Sequence, residues 1–374
     1  MNKPVKRNIL LNPGPATTTD SVKYAQVVPD ICPREKEFCR LMNQIREKLV
    51  RVVNGDDRYT AIPFASSGTG AMDACISSVL AEGKKILVLN NGAYGKRMVE
   101  IARTYYGNER VAVYELPWGD YPQESEVERI LSRDGAIAAI VLVHHETTTG
   151  MLNPVENITR IAHKRDVDVV VDTVSSYAGI VIDVRKDDID YLFSTSNKCI
   201  QGMAGISFVI CKKDKLKKTA SNPVKNYYFN LFRQFSYFEK TGEMQYTPPV
   251  QIAYALDRAL DEFFDETAGG RSRRYADSWK ALVEGLKALG FTFLVPMEQQ
   301  SKLLTAVIEP ADPHYEFTAM HDYLFERGFT IYPGKGAKEN TFRVANIGAI
   351  DKEDIGRFLD ALGGYLKEAG VAVM

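Results

Sequence analysis

Lys198 lies in the stretch Ser194-Thr195-Ser196-Asn197-Lys198-Cys199-Ile200-Gln201-Gly202, and Asp172 closes the apolar run Val167-Asp168-Val169-Val170-Val171. A lysine amine set among small hydroxyl residues can condense with an aldehyde to form a Schiff base. A carboxylate at a strand end can keep a heteroaromatic nitrogen protonated. Chemistry on pyridoxal 5′-phosphate requires that pair of groups. The same lysine would shuttle a proton, and desolvation beside a cationic ring lowers its pKa as that role demands. Each residue also has a plainer reading, since most lysines are solvated surface groups and a lone strand-end Asp commonly caps a turn. Ser196, Asn197 and Gly202 argue against an ordinary surface lysine.

Other segments could serve the same chemistry. Ser66-Ser67-Gly68-Thr69-Gly70 falls between a predicted strand and a predicted helix, where free amides and the helix dipole favour an anion. Taken alone it reads more readily as an N-cap with a flexible turn, and it is neither a P-loop nor a dinucleotide fingerprint. Tyr94, in Asn91-Gly92-Ala93-Tyr94-Gly95, could stack on a flat ring or simply pack on a helix end. Glu146-Thr147-Thr148-Thr149-Gly150 offers hydroxyls to a ring oxygen. His144 and His145 point opposite ways in extended chain, so packing suits them better than a shared metal, and no metal site is expected. Arg343, in Thr341-Phe342-Arg343-Val344-Ala345, offers a fork for a carboxylate or an ordinary surface ion pair.

These groups need a frame. Short apolar runs at Tyr59-Phe64, Lys85-Leu89, Val111-Leu116, Ala136-Val143, Val167-Val171, Tyr191-Phe193 and Ile206-Cys211 predict strands. Amphipathic stretches at Ala71-Leu80, Lys96-Tyr106, Ser125-Leu131 and Ile158-Lys164 separate most of them, which indicates a mainly parallel sheet covered on both faces. The last two runs lack a helix between them, so an antiparallel neighbour is expected there. Residues 8–34 read as an extended arm, because Pro13 and Pro15 forbid helix. Phe38, Leu41, Ile45, Leu49 and Val52 then mark an amphipathic helix. Further on, helices are predicted at about 250–264 and 273–289 with Gly269-Gly270 between them. A small α+β unit follows: strand 303–308, helix 317–327, strands 330–332 and 341–345, helix 352–369. The expected division is an arm at 1–34, a large domain at 35–270, and a linking helix with a small domain at 271–374.

Composition narrows the classes. A chain of 374 residues with 45% hydrophobic and 25% charged residues is ordinary for a globular protein of two domains. A formal net charge of −1 without a basic block argues against nucleic acid or membrane surfaces as partners. The longest apolar run is too short for a bilayer, and Met1-Asn8 carries no apolar core of a signal peptide. The 5 cysteines are scattered without a C-x-x-C pair, so a reduced, cytoplasmic setting is expected.

The order of the segments is more specific than any one of them. Anion loop, aromatic loop, Thr-rich loop, strand-end Asp, Ser-Asn-Lys and a C-terminal Arg together resemble the class V, fold-type I PLP-dependent aminotransferases. Asn12-Pro13-Gly14-Pro15, Asn91 to Gly95, Glu146 to Pro154, Ser196 to Gly202 and Ile331-Tyr332-Pro333-Gly334-Lys335 resemble one branch of that family over nearly the whole chain. That branch exchanges an amino group between 2-aminoethylphosphonate and pyruvate. The resemblance implies a seven-stranded, mainly parallel sheet domain flanked by helices, with a smaller C-terminal α+β domain. It implies reversible ping-pong transamination giving phosphonoacetaldehyde and L-alanine. It assigns Lys198 to the cofactor aldehyde, Asp172 to the pyridine nitrogen and Tyr94 to the ring face. Ser67, Gly68 and Thr69 would hold the phosphate, Thr148 the ring or its phenolate oxygen, and Ser196 would join the cofactor site. Gly14, Pro15 and Arg343 would face the substrate. Thr247 matches a position reaching the phosphate of a neighbouring subunit, which implies a homodimer with sites at the interface. The alternative within the family is an alanine:glyoxylate or serine:pyruvate aminotransferase. Two stretches depart from the pattern: Thr69-Gly70 replaces a Ser followed by an aromatic, and Asp30 to Glu35 lacks the acidic, Trp-containing segment of catabolic relatives. The second leaves the physiological direction open. For the phosphonate group, Arg34 is a candidate.

Overall fold

The computed structural model describes residues 4–334 and 340–372; Lys335 of the Ile331-to-Lys335 motif lies outside the described residues. Strands β1 (Tyr59–Ala65), β2 (Lys85–Asn90), β3 (Val111–Glu115), β4 (Ile137–Val143), β5 (Asp168–Asp172), β6 (Tyr191–Thr195) and β7 (Ile206–Lys212) form one 7-stranded sheet in the order β1-β7-β6-β5-β4-β2-β3. The neighbours from β3 across to β6 pair in parallel, whereas β7 runs antiparallel to both β6 and β1. The missing helix between the last two runs had pointed to one such reversal.

The strands read as continuous apolar runs because both faces are covered. Along β2, Leu87 and Leu89 join one core layer while Ile86 and Val88 join the other. Along β5, Val169 and Val171 face the first layer and Val170 the second. Side chains two apart share a face, so Asp172 continues the face of Val170. Helices Gly68–Ser78 and Ala93–Tyr106 cover that face. The helix Lys36–Val52 lies on the opposite one and buries Phe38, Leu41, Met42, Ile45 and Leu49. Each such side chain contributes roughly 1.5–3 kcal/mol when fully buried.

The C-terminal unit is a 3-stranded antiparallel sheet of β8 (Leu304–Ile308), β9 (Tyr332–Pro333) and β10 (Thr341–Ala345), with β10 central. Helices Phe317–Glu326 and Lys352–Ala369 and the end of Ala268–Ala288 pack on it through Leu282, Leu286, Met320, Leu324, Phe342, Val344, Phe358 and Leu362. The N-terminal arm is sewn into this unit. Ile9–Leu10 pairs in parallel with Phe329–Thr330, and the Ala345 amide donates to the Leu11 carbonyl at 2.7 Å.

Several expectations shift by an element. The helix predicted from Ala71 begins at Gly68, because Ser67 takes the extended N-cap conformation there. Gly269-Gly270 does not break the chain; both lie in the first turn of Ala268–Ala288. The break is at Thr267, with φ 66°, whose side chain caps the Gly270 amide at 3.1 Å. The strand predicted at 330–332 divides: Phe329–Thr330 pairs with the arm and Tyr332–Pro333 with β10. A helix at Leu231–Thr241, capped by Asn230, was not anticipated from the aromatic cluster that starts it.

Candidate active site

In a parallel sheet the carboxyl ends of the strands share one edge, and the ligand crevice lies outside it. That edge gathers most of the predicted residues. Ser67, Gly68 and Thr69 follow β1; Tyr94 follows β2; Thr148 follows β4; Asp172 ends β5; Ser196 and Lys198 follow β6.

The Asp172 carboxyl is buried. Its Oδ1 accepts from the Val174 amide at 2.8 Å, and its Oδ2 has no hydrogen-bond partner among the described residues. Burial pushes its pKa up to about 7, partly offset by that amide and by the charge of Lys198. Lys198 donates from Nζ to the Pro13 carbonyl, and burial pushes its pKa down to about 8. The arm holds position over it because the Ala16 amide donates to the Asn197 carbonyl at 2.9 Å. Gly14 fits there for want of a side chain. With φ +139°, a Cβ on it would meet Lys198 Cδ and Cε at 2.6 Å. Pro15 is exposed beside it.

Ser67 is the N-cap of helix Gly68–Ser78 and makes no side-chain cap bond, so that helix start keeps amides free for an anion. Thr69 Oγ1 accepts from Arg97 at 3.1 Å, and that guanidinium stands 5.0 Å from the Tyr94 ring centroid. Sequence reading missed Arg97; its place one helical turn after Tyr94 is the signal that could have found it. Ser196 is fully buried with its hydroxyl committed to the Met203 carbonyl, so it shapes the lysine loop. Thr148 is buried; its hydroxyl accepts from the Ala93 amide at 3.2 Å and donates to Glu146 at 2.5 Å. His144 bonds Ser176 and His145 bonds Ser301, both through ring nitrogens.

Arg343, on β10, is 3% exposed and donates only to carbonyls, Pro333 at 3.1 Å and Thr147 at 3.4 Å. Among the described residues it has no acidic partner, and burial lowers its pKa. Its hydrogen-bond partners are all neutral, so a ligand anion would complete its bonding. Arg34, by contrast, pairs with Glu243 at 2.8 Å and donates to Met244 and Gln245 carbonyls, so it is not a free fork. Thr247 is exposed and lines an open cleft with Ser66, Ser67 and Asn197.

The Aminotransferase class-V family model matches residues 19–348. The chain is a class-V aminotransferase. This class-V aminotransferase is 36% identical over 359 residues to the 2-aminoethylphosphonate--pyruvate transaminases of Salmonella schwarzengrund and Salmonella paratyphi C, covering 95% of this chain and 96% of theirs. It superposes on alanine--glyoxylate aminotransferase from Nostoc sp. with a TM-score of 0.89 and 26% identity, covering 98% and 97% of the two chains. Ureidoglycine-glyoxylate aminotransferase from Bacillus subtilis superposes with a TM-score of 0.90 over 100% and 96%, and at 21% identity that likeness speaks for the fold alone.

The cofactor of the class-V aminotransferase is pyridoxal 5′-phosphate. The residues present fit it: an orphaned buried carboxylate oxygen at Asp172, a neighbouring amine at Lys198 with a lowered pKa, and an uncapped helix start. No helix among the described residues is long and apolar enough to cross a membrane.

Proposed function

We propose that this class-V aminotransferase moves the amino group of 2-aminoethylphosphonate to pyruvate, giving phosphonoacetaldehyde and L-alanine, reversibly. The Oδ2 of Asp172, without a partner among the described residues and within electrostatic reach of Lys198, carries the reaction class. The 36% identity to transaminases named for those two substrates supports the substrate pair.

Bound pyridoxal phosphate supplies an aldehyde carbon that exchanges amines and a ring that withdraws electrons from the carbon beside the nitrogen. Asp172 Oδ2 would hold a proton on the ring nitrogen, where charge pairing keeps the ring electron-poor. Tyr94 would cover a ring face, and Thr148 would meet the phenolate oxygen. Ser67, Gly68 and Thr69 would hold the phosphate at the helix start, with Ser196 setting the lysine loop. Lys198 Nζ, neutral in an appreciable fraction near pH 8, would take the proton from the amine-bearing carbon of the donor and pass it to the cofactor carbon on the other side of the shared nitrogen. Gly14 and Pro15 roof the substrate. Arg343 forks the carboxylate of pyruvate, and in the second half-reaction Nζ delivers the proton to the carbon that becomes Cα of L-alanine.

Thr247 completes the phosphate site of a second copy of the chain, which makes the enzyme a homodimer. The reading divides the chain into an arm at 1–34, a cofactor domain at 35–270 and a small domain with its linking helix at 271–374. Its 5 cysteines are free, which supports a cytoplasmic setting.

The test is an absorbance scan of the purified protein, titrated with 2-aminoethylphosphonate and then pyruvate. The visible band should shift with the donor, recover with the acceptor and yield alanine. An alanine:glyoxylate exchange is the rival reading, favoured by the Nostoc structure at 26% identity. Faster turnover of alanine with glyoxylate than of the aminophosphonate with pyruvate would decide for it.

A further inference from the structure

Glu146 is completely buried three residues after the end of β4, in a two-residue strand with His145. Every direct partner of its side chain is a neutral donor. The Thr148 amide and hydroxyl donate to Oε1 at 3.0 and 2.5 Å, and the Tyr94 amide donates to Oε2 at 3.2 Å. The Ala93 amide donates to the Thr148 hydroxyl at 3.2 Å, which closes a ring between the two loops. Gly92 makes room for this seat, since a Cβ there would stand 2.3 Å from Glu146 Cδ and Cγ. Thr147, the next residue, gives its carbonyl to Arg343 at 3.4 Å.

A buried carboxylate is costly unless its lone pairs are filled, and here they are filled by groups adjoining the cofactor and substrate seats. Desolvation raises the Glu146 pKa while Thr148 and the Tyr94 and Gly95 amides lower it; the charged groups that sense it are Asp172 and Arg343. Its direct donors are all neutral, so no ion pair holds it there. The bonds tie the start of the helix carrying Tyr94 to the loop carrying Thr148.

We infer that Glu146 is the positioning residue that locks Tyr94 and Thr148 to each other and, through Thr147, to Arg343. Glu146→Gln keeps the shape but turns an acceptor into an NH₂ group that confronts a donor, so one loop must retreat. The inference rests on the proposed function, because Tyr94 and Thr148 matter only if the ring lies between them.

The test uses the holoenzyme and reads the induced circular dichroism of the bound cofactor per mole bound, together with cofactor Kd, KM for pyruvate and Tm. In Glu146→Gln the visible dichroism should change in sign or fall, and cofactor Kd and pyruvate KM should each rise about tenfold. Loss of fold stability alone would lower Tm and leave the dichroism per bound cofactor untouched, and that result overturns the inference. Thr148→Val removes only the hydroxyl in the ring of bonds. It should alter the dichroism by itself, and the double variant should lose less than the sum of the two single changes, because the hydroxyl bond to Glu146 is shared between them. Full additivity, or a Thr148→Val band identical to wild type, also overturns it, and the second readout stands even if Glu146→Gln does not fold. A wild-type protein without any cofactor band strikes at the proposed function; a normal wild-type band unmoved by both variants strikes at Glu146 alone.

Discussion

Gly14 closes over the side chain of Lys198: a Cβ built on it would stand 2.6 Å from Cδ and Cε and 2.8 Å from Nζ. Its φ of +139° is a conformation L side chains rarely adopt, so Gly14→Ala faces backbone strain of about 1–3 kcal/mol as well as the clash. The arm is anchored elsewhere, at Ile9–Leu10 and at Ala16, so the fold should persist while the roof shifts. We expect a Tm lowered by a few degrees and cofactor reconstitution slowed by about tenfold or more. A reconstitution rate equal to wild type would mean that the roof gives way without touching the amine.

Lys198 reacts only as the free amine, and burial has brought its pKa down to about 8. In the cofactor-free protein the rate of aldehyde capture should therefore climb with pH through about 8 and level off above it. An ordinary exposed lysine would still be climbing near pH 10. Lys198→Ala should remove both the capture and the visible band, and turnover should fall by several orders of magnitude. Retention of either in that variant excludes Lys198 as the covalent residue.

Asp172 trades stability for chemistry in the cofactor-free protein. Its folded pKa of about 7 lies above the ordinary 3.8, so between those values the folded chain binds more protons than the unfolded one. Stability then falls as pH rises through that window; the protonated carboxyl is fully tolerated below it. Asp172→Asn removes this dependence. Without cofactor, the variant should gain stability relative to wild type as pH goes from 4 to 8, by at most a few kcal/mol, seen as a rising Tm difference. With cofactor the order should reverse, because the amide cannot hold the ring nitrogen's proton as a carboxylate does. A Tm difference that is flat with pH would show that Oδ2 is not an uncompensated charge.

The placement of Asp172 and Lys198 at strand ends was legible because it is local. A Val run ending in Asp, or a lysine among Ser, Asn and Gly, states its position on a parallel sheet within ten residues of sequence. The covering helices were legible for the same reason, through apolar spacing such as Phe38, Leu41, Ile45 and Leu49. What the sequence concealed depends on contacts between distant segments. Glu146 meets the Tyr94 amide, and Arg34 meets Glu243; no periodicity records either bond. The turn at Thr267 was hidden because a non-glycine residue takes the positive φ while the adjacent glycines stay helical. The divided strand at 329–333 was hidden because two residues suffice for each pairing, too few for an alternation to appear.

Arg343 is the residue at which we expect the two substrates to part. Its guanidinium is buried, donates only to the Pro333 and Thr147 carbonyls, and among the described residues is hydrogen-bonded to no carboxylate, although the Glu146 charge reaches it. Those carbonyls orient the fork without neutralising it, so its charge is left for a ligand. A carboxylate accepts two parallel bonds from such a fork, each charge-assisted. Arg343→Lys keeps the charge and loses the fork; Arg343→Ala loses both. Charged hydrogen bonds contribute about 1.5–3 kcal/mol each, so KM for pyruvate should rise about tenfold in Lys and about a hundredfold or more in Ala. The first half-reaction with 2-aminoethylphosphonate, which carries no carboxylate, should lose far less in single-turnover measurements. The cofactor band should stay in place in both variants. Equal losses in the two half-reactions would mean either that Arg343 takes the phosphonate as well or that it only braces Thr147, and a measurement of phosphonate Kd by band shift distinguishes these, because a brace leaves that Kd unchanged.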